Sequence, residues 1–210
     1  MRWWQRVLRR LYRSLAEHDA PAPSDLIFVP AGRMERKAYA LDLYRAGTAP
    51  RLLLSIGRFE VSKMARMGLD WAPELIALRD KTPPRERHFL VEVDASAVRI
   101  TKPALLSWNT YGEVLGLREY VEGCRRVLVV STDVHLRRIR TVVQRAIRDR
   151  AIDVRYCPVP EGYGSFCEET WWKNSASRRF VLKEAAKLVG YRIILGMPEW
   201  VVRGIMRLRR

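Results

Sequence analysis

Short, almost wholly apolar runs alternate with amphipathic stretches of helical period along most of this chain. Residues 25–30 (DLIFVP) and 51–57 (RLLLSIG) each read as a buried strand. The segment 34–47 between them reads as a helix with Tyr39, Ala40 and Leu43 inward and Gly47 as its stop. A strand, a helix and a strand joined by short links favour parallel neighbours in one sheet.

The same rhythm continues downstream. Residues 58–80 carry a helical pattern, and DKTPPRER is a loop. Strands are predicted over 88–94, 97–101, 126–131 and 152–160, and helices over 110–122, 134–149 and 167–190. The summed pattern predicts a doubly wound α/β fold with a mainly parallel sheet and helices on both faces. A chain of 210 residues suits one such domain, here residues 21–195, flanked by terminal segments 1–20 and 196–210.

Both terminal segments read as basic amphipathic helices. Trp3, Val7, Leu11 and Leu15 recur every fourth residue, and Trp4, Leu8 and Tyr12 form the adjoining row. Arginines take the remaining face, and MPEWVVRGIMRLRR repeats the theme at the other end. Such helices either cover a core or lie in a membrane interface. The first 20 residues lack the uninterrupted apolar stretch and cleavage site of a signal peptide, and no apolar run is long enough to span a bilayer.

The charge is +16, and arginine supplies most of the positive side chains. That excess suits polyanions: a phosphorylated small molecule, an anionic membrane surface or nucleic acid. No nucleic-acid recognition motif accompanies it, so nucleic acid ranks last. Cys124, Cys157 and Cys167 form no close pair and no metal-ligand spacing, which points to a reduced, cytoplasmic setting. If the terminal helices bind lipid, the protein is peripheral on the inner face of the membrane.

In open parallel sheets ligands gather beyond the carboxyl ends of the strands. Three such loops here are polar: PAGRMER, SIGR and STDVHLRR, with SWNT expected to join them. His135 and Arg138 share one face of the first turn of their helix, where free N–H groups favour an anion. The same environment disfavours protonation of His135, which suits a general base or a neutral orienting imidazole. Asp133 reads first as a helix cap. Trp171 and Trp172 read as packing anchors, and the loop EGYGS as the mobile part. No metal site is expected, since His18 and His88 have no ligand spacing to His135.

Several of these pieces occur together in a known order. They are Arg36, Ala40, Leu43, Tyr44 and Gly47 in RKAYALDLYRAG, Ser55 and Gly57 in LLLSIG, Asn109 and Thr110, and VVSTDVHLRR with His135 and Arg138. In this the chain resembles the bacterial YdcF/SanA/ElyC-type family over about residues 25–160. The resemblance implies a Rossmann-like fold with a pocket and no agreed reaction or cofactor. Members are linked to cell-envelope biogenesis, some carry a membrane anchor, and one is reported to bind S-adenosylmethionine. This chain departs from the family in having one glycine in VPAGRMER, Ile56 in place of a glycine, and TYGE around Glu113. Glu113 either replaces the family's acidic residue one position late or is a solvated helix residue.

The resulting expectation is a pocket of Arg36, Ser55, Gly57, Asn109, Thr110, Ser131, His135 and Arg138 for a phosphate-bearing or nucleotide-like small molecule. His135 is the candidate base or orienter. The alternative is a non-enzymatic accessory protein held on a membrane surface by its basic helices.

Overall fold

The computed structural model describes residues 3–103, 110–164 and 167–208. Six strands form one sheet: β1 (Leu26–Val29), β2 (Leu52–Gly57), β3 (His88–Val93), β4 (Val98–Thr101), β5 (Arg126–Ser131) and β6 (Asp153–Pro158). Their spatial order is β4-β3-β2-β1-β5-β6. Strands β2, β1, β5 and β6 run parallel, whereas β3 and β4 are antiparallel additions at one edge. The α-helices are α1 (Trp3–Leu15), α2 (Met34–Arg45), α3 (Val61–Ala65), α4 (Ala72–Asp80), α5 (Thr110–Leu117), α6 (Asp133–Ala146), α7 (Ser175–Leu195) and α8 (Glu199–Leu208).

Period two along the strands separates two cores. Ile27, Val29, Leu52, Leu54, Leu128 and Val130 pack with Ala40 of α2, Val61 and Met64 of α3 and Leu75 of α4. Leu26, Phe28, Leu53, Val127 and Val129 face the other way, onto Val114 of α5, Leu136 and Ile139 of α6 and Tyr191 of α7. Because both faces are covered, every residue of β1 is fully buried, and its sequence is a continuous apolar run rather than an alternation. Each such side chain contributes about 1.5–3 kcal/mol by leaving water.

Neighbouring strands β1 and β5 diverge: β1 leads through α2 to β2, and β5 leads through α6 to β6 on the opposite side. Their helices lie on opposite faces of the sheet. A crevice opens at such a divergence, at the carboxyl ends of the strands.

Boundaries differ from the sequence pattern where local chemistry intervenes. The helical stretch 58–80 splits into α3 and α4 because Gly68 takes a positive φ of 66° and Pro73 begins the second helix. Helix α7 starts at Ser175, well after residue 167, because the Asn174 side chain accepts from the N–H groups of Ala176 and Ser177. Thr132, not Asp133, occupies the position before α6. Asp133 is the first helical residue, and its carboxylate accepts from the Val134 N–H and the Tyr12 hydroxyl.

That last contact ties the N-terminal helix down. Tyr12 and Leu15 of α1 join Val134, Trp171, Val181 and Leu188 in a third apolar cluster, and Tyr12 stacks on Trp171 at 6.3 Å. Trp3 and Val7, at the start of the row that ends in buried Leu15, are exposed.

Candidate functional site

A cavity of about 760 Å³ opens at the carboxyl edge of the sheet. Ala31 and Gly32 after β1, Gly57–Glu60 after β2, and His135 and Arg138 of α6 form its walls. Antiparallel β3 adds a residue that a parallel strand would not. Its first residue, His88, pairs in register with Gly57, the last of β2, and so reaches the same edge.

Of the residues anticipated from sequence, Gly57, Thr110, His135 and Arg138 line the cavity. Arg36, Ser55 and Ser131 do not; they are buried behind the wall as its supports. Asn109 lies outside the described residues.

Two serine–histidine pairs brace the cavity from behind. Ser131, at the end of β5, sits 3.0 Å from His135 Nδ1. This fixes the ring one turn into α6, and His135 Nε2 is left buried at the cavity with no hydrogen-bond partner. Burial, then Arg138, Arg36 and Lys187, hold this imidazole well below its usual pKa, so it is neutral at pH 7. On the other side Ser55 Oγ lies 2.7 Å from His88 Nε2 and donates to Glu113 Oε1 at 3.1 Å. Burial, with Lys37 nearby, pulls His88 down to about 4, while burial and Glu60 push Glu113 upward. Although His88 Nε2 and Glu113 are 3.8 Å apart, burial shifts each toward its uncharged form, which weakens any ion pair between them.

Glu113 is therefore not a solvated helix residue. It lines the cavity and also accepts from the Ala31 N–H. Glu60 plays the matching part between the first two loops. It accepts from the backbone N–H groups of Gly57 (2.7 Å) and Gly32 and from the wholly buried Lys37 ammonium (3.2 Å). Gly32 has a φ of 137°, which side chains rarely adopt, and a Cβ there would stand 2.9 Å from the Arg36 guanidinium, which would have to shift. Arg36 in turn donates to the Ala31 carbonyl and to Thr132 Oγ1.

The far wall comes from α7, which sequence reasoning left out of the site. Glu184 is buried and accepts a hydrogen bond from Arg138 Nε at 2.9 Å and one from Lys187, with Arg138 Nη2 also 2.9 Å away in an ion pair. Burial alone would raise the Glu184 pKa, but the two cations outweigh it and the carboxylate stays ionised. Arg138 also donates to Thr110 Oγ1 and lies over the Tyr191 ring.

The cavity lining thus carries Arg58, Lys63, Arg85, Arg87, Arg138 and Lys187 against two acids, Glu60 and Glu113. Each acid is already committed to backbone N–H groups. No group of three or more His, Cys, Asp or Glu suited to a metal occurs among the described residues. Hidden Lys37, Glu60, His88 and Glu184 were missed because each reads in sequence as an ordinary polar or charged position. The register of β3 brings in His88, the packing of α7 on α6 brings in Glu184, and Lys37 meets Glu60 across the turns after β1 and β2.

Fold and cavity define an α/β protein with a cation-lined cavity at the carboxyl edge of a mostly parallel sheet. Comparisons with known protein families, with curated proteins and with solved structures found no match.

Proposed function

We propose that the cavity binds, and through His135 acts on, a phosphate-bearing or nucleotide-like small molecule. The observation that carries this reading is the His135 Nε2 atom, buried without a partner in a cavity whose cations outnumber its acids. An unsatisfied buried polar atom is costly unless a ligand or water meets it. With Nδ1–H donating to Ser131, Nε2 offers a lone pair to a substrate hydroxyl or water; in the other tautomer it donates to an anionic oxygen. Arg138, held in place by Glu184, supplies charge against the anion, with Arg87, Arg85 and Lys63 toward the mouth. Phe59, exposed at the rim beneath Arg58, supplies a flat surface for a base.

The divergence of β1 and β5, with helices on opposite faces, supports a Rossmann-like reading of the sheet and the resemblance to the YdcF/SanA/ElyC-type family. A role in cell-envelope metabolism rests on that resemblance alone. The test is a thermal-shift panel of nucleotides, S-adenosylmethionine, sugar phosphates and inorganic phosphate. A true ligand at about 100 times its Kd stabilises by about 2.7 kcal/mol. For a chain this long that raises Tm by roughly 5–10 °C. His135→Ala and Arg87→Ala should fold normally and lose most of the shift. A folded wild type that no phosphate compound stabilises overturns the reading.

A further inference from the structure

The outer face of α7 carries an apolar seam that the domain does not use. Leu182, Ala186, Val189 and Ile193 are spaced four, three and four apart, which places them in one row along the helix. All four are exposed; Leu182, Val189 and Ile193 show 53%, 58% and 59% of their surface. Single exposed apolar residues are ordinary, but an aligned row marks a surface that something covers.

Helices α1 and α8, both packed against α7, extend the pattern. Trp3 and Val7 stand out from α1 beside exposed Arg6 and Arg10, and Trp200 stands out from α8 with 77% of its surface free. No helix among the described residues is long and apolar enough to cross a membrane.

The charges beside the seam select its occupant. Arg179, Lys183 and Arg192 of α7 are exposed, and its one acid, Glu184, is buried against Arg138 and Lys187. A second copy meeting this face about a two-fold axis would set cation against cation. An anionic bilayer meets both requirements at once, since acyl chains take the apolar row and the tryptophans while headgroups take the arginines and lysines. We infer that α7, flanked by α1 and α8, is a face that docks in-plane on an anionic lipid surface. The cavity residues Tyr191 and Lys187 lie about half a turn and about a third of a turn from the seam, so docking leaves that wall of the cavity turned away from the bilayer.

The test is sedimentation of the intact protein with phosphatidylcholine vesicles, with and without phosphatidylglycerol. Phosphatidylglycerol should raise the bound fraction steeply, and salt should reverse it. Lys183→Gln and Arg192→Gln should each weaken binding about fivefold, the effect of one cation near such a surface. The triple variant Leu182→Glu, Val189→Glu, Ile193→Glu should abolish binding while its circular dichroism and Tm stay close to wild type, because all three positions are exposed. Equal sedimentation with both vesicle types, or a triple variant that still binds, overturns the proposal. So does a wild-type dimer in light scattering that the triple variant splits, which would assign the seam to self-association.

Discussion

Lys37 gives the sharpest test of how the site is built. Its ammonium is wholly buried in α2, 3.2 Å from Glu60, whose two oxygens also receive the N–H groups of Gly32 and Gly57. In Lys37→Met the stem volume is kept but Glu60 retains a buried negative charge without its cation. Removing one partner of a buried pair costs about 3–5 kcal/mol, because the other charge is stranded. For a domain of this size each kcal/mol lowers Tm by about 2–4 °C, so a fall of roughly 6–20 °C is expected. Glu60→Gln should also destabilise, since an amide turns an NH2 group toward one of the two backbone donors. Urea unfolding of both singles and the double closes a cycle, and the double should fall short of the summed losses by about 0.5–3 kcal/mol. A Lys37→Met protein within about 0.5 kcal/mol of wild type, or strict additivity, would refute the claim that Glu60 is fixed by Lys37.

Three further outcomes follow from the same geometry. His88 is held near 4 against about 6.5 when unfolded, so the unfolded chain binds the extra proton between those values. Stability is therefore complete above pH 6.5 and falls by about 3 kcal/mol as pH drops toward 4; urea titrations of His88→Gln should show a shallower slope over that window. Gly32→Ala meets both a positive φ and the Arg36 guanidinium, and should lose about 1–3 kcal/mol in thermal unfolding. Tyr12→Phe leaves the buried Asp133 carboxylate one donor short and should cost about 1–3 kcal/mol, with faster proteolysis near residues 3–15.

The sheet was legible because its signal is local. Four consecutive apolar residues, LIFV in one strand and VLVV within RVLVVS, announce strands covered on both faces, whatever lies next to them. His135 was legible for a similar reason: a strand, a break and a first helical turn are adjacent in sequence. Lys37 was not, because an ammonium on a helix reads as solvated unless its distant partner is known, and Glu60 lies 23 residues away. His88 was set aside for want of ligand spacing to His135. The antiparallel turn of β3 makes sequence spacing irrelevant by placing His88 opposite Gly57. The start of α7 was in principle readable, since Asn174 before SAS is a cap, but the preceding ETWWK contains nothing that breaks a helix.

Glu60 also has a bearing on how the cavity moves. By gripping the amides of Gly32 and Gly57 together, it locks the turns after β1 and β2 into one rigid lip. The opposite lip, the exposed 3₁₀ turn Pro84–Glu86, is held by half-buried or exposed side chains instead, with Arg87 on the Thr82 carbonyl and Lys102 on Glu86. Hydrogen exchange should accordingly be slow at residues 32 and 57 and fast across 85–87. Entry and exit would then be timed by the arginine-bearing turn, a door hinged on one side against a fixed frame.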